Sequence, residues 1–135
     1  MPTWIPIAFA EVTATSQAGH DSGATLVVGS SDASRAIITR LLPSVGTPAG
    51  RVLVAAFQGE QSTGGYGIRI TAIERLGDQL LVRATFTEPK PDSMVTQALT
   101  SPAHIVSIAA ADATGLREAI LVDGSGAQRA RINTT

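Results

Sequence analysis

Tyr66-Gly67-Ile68-Arg69-Ile70-Thr71-Ala72-Ile73-Glu74-Arg75, followed after a short break by Gln79-Leu80-Leu81-Val82-Arg83-Ala84-Thr85-Phe86-Thr87, decides the fold of this chain. In the first run Tyr66, Ile68, Ile70 and Ala72 fall on one face of an extended backbone, and Gly67, Arg69 and Thr71 fall on the other. Ile73 breaks the alternation and predicts a bulge near the strand end. In the second run Leu80, Val82, Ala84 and Phe86 share a face. Gly77-Asp78 between them is a tight-turn dipeptide, so the two runs read as an antiparallel hairpin.

Upstream, Val52-Leu53-Val54-Ala55-Ala56-Phe57 is almost continuously apolar, which suits a strand buried on both faces. Ala24 to Val28 is a shorter strand. Trp4 to Thr15 begins irregularly. Pro6 confines any strand there to a sheet edge or to a start after Pro6. Ser16 to Gly23, which includes His20 and Asp21, reads as a polar loop. Ser30-Ser31-Asp32 is a helix start, and Ala33, Ile37 and Leu41, widened by Ile38 and Leu42, form the apolar stripe. Arg35, Thr39 and Arg40 point outward, and Pro43 and Gly46 end the helix. Downstream, Ala103–Ile108 and Glu118–Val122 are further strands. Residues 124–135 read as a weakly packed, flexible tail. The expectation is an α+β fold over 1–135, one domain of mainly antiparallel sheet or a small sandwich. It has about seven strands and one helix packed on a sheet face.

Composition narrows the function. The chain has 135 residues, of which 44% are hydrophobic and only 4% aromatic, so the core is aliphatic. Ten basic and eleven acidic residues leave a net charge of −1, with no basic run to neutralise adjacent phosphates. No nucleic-acid partner is expected. Without cysteine, thiol catalysis and thiolate metal sites are excluded. No apolar run approaches the roughly 20 residues of a membrane-spanning helix. The N-terminus lacks the basic flank and apolar length of a signal peptide. The reading is a soluble chain without membrane insertion, of undetermined oligomeric state.

Gln58-Gly59-Glu60-Gln61-Ser62-Thr63-Gly64-Gly65-Tyr66 joins two strong strands. It lacks the Lys of a phosphate-binding loop, and a strand follows where a helix should begin. It reads either as a tight strand connection or as a protein-contact loop with Tyr66 as its anchor. His20 and His104 have no metal-ligand spacing, and no Gly-x-Ser-x-Gly elbow is present. Glu60 and Glu88 flank different loops. No catalytic residue, metal or cofactor is expected. An enzyme with an unrecognised polar site stays as an alternative.

Val52-Leu53-Val54-Ala55-Ala56-Phe57-Gln58-Gly59 and Ser62-Thr63-Gly64-Gly65-Tyr66-Gly67-Ile68-Arg69-Ile70 resemble the C-terminal domain of PrcB-type protease-complex subunits. The likeness continues through Leu80-Leu81-Val82-Arg83, Glu88-Pro89-Lys90-Pro91, Val95-Thr96-Gln97-Ala98-Leu99-Thr100-Ser101-Pro102 and His104-Ile105-Val106-Ser107-Ile108. It spans residues 51–109. The resemblance implies a noncatalytic partner in a bacterial extracytoplasmic protease assembly, which stabilises or assembles the protease. Thr63-Gly64-Gly65-Tyr66 also resembles a loop of the chagasin-like cysteine-protease inhibitors, although Gln61-Ser62 replaces Asn-Pro and Gly64 replaces a Thr. That likeness implies direct protease inhibition as an alternative. The expected protein-interaction residues are Thr63, Gly64, Gly65, Tyr66, Thr96, Gln97, Thr100 and Pro102, placed on neighbouring loops at one end of the sheet.

Overall fold

The computed structural model describes residues 3–18, 23–46, 48–91, 94–95 and 97–134. The hairpin read from the sequence is present: Gly67–Leu76 and Gln79–Thr87 pair antiparallel, with Ile68 opposite Phe86 and Leu76 opposite Gln79. Gly77 takes φ +59°, and among the described residues no non-glycine residue has positive φ. Positive φ at the first of two loop positions is the backbone signature of a tight hairpin turn whose twist matches its strands. The expected irregularity lies between Ile70 and Ala72, where the register shifts. The shift swaps the faces, so Ile73 is buried and Ala72 only half-buried.

Numbered along the chain, the strands are β1 (Ile5–Pro6), β2 (Phe9–Thr15), β3 (Thr25–Val28), β4 (Arg51–Phe57), β5 (Gly67–Leu76), β6 (Gln79–Thr87), β7 (Ala103–Ala109), β8 (Glu118–Val122) and β9 (Gln128–Asn133). The one α-helix among the described residues, α1, spans Asp32–Leu41, and a short 3-10 turn spans Ala110–Ala113. The strands form two sheets, ordered β1-β5-β6-β8-β9 and β2-β7-β4-β3. The described residues thus hold nine strands rather than about seven. One extra is β1, an edge strand that includes Pro6, where a missing N–H costs no ladder bond. The other is β9, which pairs with β8 in the segment read as a weakly packed tail. Its Ala130 and Ile132 pack against the core.

Among the named strands of the described residues, every pairing is antiparallel except β6 with β8. Between those two the chain leaves the first sheet and contributes β7 to the second, and a returning crossover produces a parallel neighbour.

The two sheets enclose an aliphatic core that includes Leu26, Val54, Ile70, Leu80, Val82, Val106, Ile108 and Leu121. A second cluster lies on the other side of the β2-β7-β4-β3 sheet, where Leu53, Ala55, Phe57 and Ile105 meet Ile38 and Leu42 of the helix segment. β4 is therefore covered on both faces, as its unbroken apolar run requires. Ser31 caps α1 by accepting from the Ser34 N–H, and the Ser34 hydroxyl accepts from the Ser31 N–H. The buried stripe is rotated from the sequence reading: Ile38 and Leu42 are buried, whereas Ala33 and Ile37 are exposed. With a single sheet beneath it, the helix buries a narrower face than its apolar content allows.

The outer face of the other sheet is polar. Arg83 pairs with Glu74 at 2.6 Å and Arg131 with Glu118 at 2.6 Å, each across neighbouring strands. Such cross-strand pairs keep that face solvated while the opposite side chains fill the core.

Candidate functional site

The loop that leaves β4 is tied down at its base. The Gln58 N–H donates to the Pro102 carbonyl at 2.9 Å, and its side-chain Nε2 donates to the Thr87 carbonyl at 3.1 Å. Further along, Gln61 and Thr100 exchange two backbone hydrogen bonds of 2.8 and 2.9 Å. The Thr100 hydroxyl donates to the Thr63 carbonyl at 2.8 Å. The Gly-rich loop and the segment before β7 are thus neighbours at one end of the sandwich.

Gly65 is required where it stands. Its φ is +88°, and a Cβ there would lie 2.8 Å from Pro89 Cβ and 2.9 Å from Val95 Cγ1. Both the backbone conformation and the close packing against the Pro89 loop exclude a side chain. Gly65 is therefore packed between Pro89 and Val95.

The expected contact residues divide by burial. Gly65 and Gln97 are exposed, and Thr63, Gly64 and Tyr66 are half-buried. Thr100 and Pro102 are buried, so they hold the loop in place and offer little surface of their own. The hydroxyl of Thr100 is already used by Thr63, and Pro102 leads directly into β7. Thr96 lies outside the described residues, as do His20 and Asp21.

Two exposed residues near these loops were not singled out from the sequence. Met94 is fully exposed and Leu99 is 63% exposed, and they stand among the few large exposed hydrophobics of the described residues. Met94 adjoins Val95, the wall of the Gly65 loop, and Leu99 adjoins Thr100, its tether. The available signal was an unpaired Met and Leu inside a segment otherwise rich in Thr, Ser and Pro. No periodicity assigns such isolated residues to a face, so the sequence left them unread.

His104 sits on β7 and is buried. Its Nδ1 accepts from the Ile70 N–H at 2.8 Å, and its Nε2 lies 2.7 Å from a Glu11 carboxylate oxygen. Accepting at Nδ1 places the ring proton on Nε2 in the neutral form, directed at Glu11. Both ring nitrogens are engaged, Nδ1 in joining the two sheets and Nε2 with the neighbouring strand β2 of its own sheet. Among the described residues, no group of three His, Cys, Asp or Glu could hold a metal ion. No helix of the described residues is long and apolar enough to cross a membrane.

Residues 52–109 match the family described as PrcB C-terminal. The match covers somewhat under half of the chain. It takes in β4 to β7, and with them both loops and the central strands of each sheet. No curated protein and no solved structure matches the chain.

Proposed function

We propose that this domain is a noncatalytic protein-interaction module of a protease-associated assembly. The contact surface is formed by Gly64, Gly65 and Tyr66 with Gln97, framed by Met94 and Leu99. The observation that carries this reading is the exposure of Met94 and Leu99, the chain neighbours of Val95 and Thr100, which pack against and bond the Gly-rich loop. Exposed aliphatic side chains beside a pre-ordered backbone provide apolar contact area at low ordering cost. The likeness of residues 52–109 to the PrcB C-terminal family points to a protease complex as the setting.

The Gly64–Gly65 backbone also favours a second reading, direct insertion into a protease cleft. The Gly64 carbonyl already accepts from the Thr63 hydroxyl at 3.0 Å, so the exposed Gly65 would meet such a cleft.

Both readings are tested on a panel of purified serine and cysteine proteases, with binding and residual protease activity measured in parallel. Saturable binding that Leu99→Asp and Met94→Asp each weaken, at unchanged thermal stability, supports the contact surface. Binding with intact protease activity assigns an assembly role, and loss of protease activity assigns inhibition. Binding that ignores both substitutions would overturn the proposed surface.

A further inference from the structure

β3 is an edge of the β2-β7-β4-β3 sheet, so β4 pairs with only one side of its backbone. The ladder fixes which groups are left over. The Gly29 N–H donates to the Leu53 carbonyl at 2.7 Å, and these two residues continue the register that sets Val28 opposite Val54. Bonded and non-bonded positions alternate along an antiparallel pair. Val27 therefore bonds Ala55, and the amides of Leu26 and Val28 point away from β4. The other side of β4 keeps the same parity. There the Ala110 N–H donates to the Gly50 carbonyl at 3.0 Å and the Gln58 N–H to the Pro102 carbonyl at 2.9 Å, so Val52, Val54 and Ala56 bond β7.

On the outward side of β3 the Val28 carbonyl accepts from the Ser30 N–H at 2.8 Å. Among the described residues nothing pairs with the Leu26 N–H, the Leu26 carbonyl or the Val28 N–H. Leu26 is 0% exposed and Val28 1%, so water does not serve these groups either. A buried amide without a partner is costly.

A groove of about 390 Å3 runs along this edge. Leu26 and Val28 form its floor, Ala33 and Ile37 of α1 one wall, and Ile132 and Thr134 from the end of β9 the other. No charged residue lines it among the described residues. Ile37 is one of the few exposed large hydrophobics, and the Thr134 hydroxyl is buried without a partner among the described residues. A buried floor beneath exposed Ala33 and Ile37 makes β3 a recessed edge. Another folded sheet edge, including the equally recessed β3 of a second copy, meets these walls before it reaches the strand. A single extended segment does not. Its backbone offers donors and acceptors at the ladder spacing, and its alternate side chains meet Ile37 and Ile132. Those side chains must be aliphatic, because a charge buried against uncharged walls is costly.

We propose that the groove between α1 and β9 accepts one uncharged, extended peptide segment with aliphatic side chains at alternate positions, which adds to β3 as a further strand. Admission requires the rim side chains, Ile37 among them, to move aside. The groove shares no residue with the proposed contact surface.

The test titrates the whole chain with a pool of short capped peptides in which valine, isoleucine or leucine alternates with threonine. Amide shifts are followed by nuclear magnetic resonance. Saturable downfield shifts of the Leu26 and Val28 amide protons are expected, as each gains an acceptor. Peptides N-methylated at alternate residues lose the donor to the Leu26 carbonyl and should bind about tenfold or more weakly. Ile37→Asp puts a carboxylate on the rim and should weaken binding about tenfold or more. Ile37 is exposed on the helix, so this variant retains the fold, which a thermal melt checks. Ala33→Glu is a second rim variant with the same expected direction. Leu99→Asp lies outside the groove and leaves peptide binding unchanged. Absence of saturation, or shifts that ignore both N-methylation and the two rim substitutions, would overturn the proposal. Shifts of the same two amides that depend on protein concentration without peptide would also overturn it and assign the groove to a second copy of the chain.

Discussion

The Ile70 N–H donates to Nδ1 of His104 across the sandwich, at 2.8 Å. Ile70 lies at the register shift of β5, where a backbone donor escapes the strand ladder. The histidine ring from the opposite sheet satisfies it, and a bond to Glu11 on β2 completes the link. The bulge, the buried histidine and the edge-strand carboxylate are one arrangement.

Replacing His104 with Phe leaves the Ile70 N–H buried without an acceptor. A loss of about 2–4 kcal/mol is expected from the desolvated donor together with altered packing. His104→Asn keeps an acceptor near the Nδ1 position and should recover part of that loss. Urea denaturation of the two variants measures the difference; equal destabilisation would show that the Ile70 bond contributes nothing specific.

Gly65→Ala introduces a Cβ into the space of Pro89 and Val95 and forces a side chain onto φ +88°. Strain and overpacking together should cost about 2–4 kcal/mol. Gly77→Ala, also at positive φ but with nothing within 4 Å, carries the backbone cost without the clash. Thermal melts should rank Gly65→Ala as the less stable of the two.

Thr100 and Leu99 are chain neighbours with opposite roles. Thr100→Val removes the donor to the Thr63 carbonyl and should lower stability by about 1–2 kcal/mol. Leu99→Asp changes an exposed side chain and should stay within about 0.5 kcal/mol of the parent. Chemical denaturation of both, beside the protease-binding assay, separates the tether from the surface.

The Asp123 carboxyl is held below its ordinary value of 3.8, chiefly by the Ser125 hydroxyl. The N–H groups of Ser125 and Ala127 and the Arg129 guanidinium act in the same direction, against the opposing effect of removing the carboxylate from water. A folded-state value below the unfolded one means that ionised Asp123 stabilises the fold fully above that ordinary value of 3.8, and that this contribution fades as pH falls through the lower, folded value. The stability gap between the parent and Asp123→Asn should therefore be open at neutral pH and close in acid. Denaturation midpoints across that range, with a direct carboxyl titration, check both the direction and the window.

Local patterns carried much of this fold. The β5–β6 hairpin was legible because alternation has a period of two and Gly77-Asp78 marks the turn, both within a 22-residue span. The doubly buried β4 was legible from its unbroken apolar run, and α1 from the serine cap and its spacing. The proximity of the Gly64–Tyr66 loop to the segment before β7 was also expected, on the composition of the two segments. β9 escaped because Gln128-Arg129-Ala130-Arg131-Ile132-Asn133 holds only two apolar positions, too few to signal a strand until β8 supplies a ladder.

What the sequence determined by itself was which residues alternate, which run is buried on both faces and where the chain turns, since each depends on neighbours a few positions away. Tertiary structure alone decided which sheet each strand joined, that β6 and β8 lie parallel, and that Ile38 rather than Ile37 faces inward. It also decided that Thr100 and Pro102 are interior and that Met94 and Leu99 are exposed. The physical reason is that a strand's edge bonds equally well to any partner of suitable length. An apolar face records that it must be covered, and only the packing of distant segments settles what covers it.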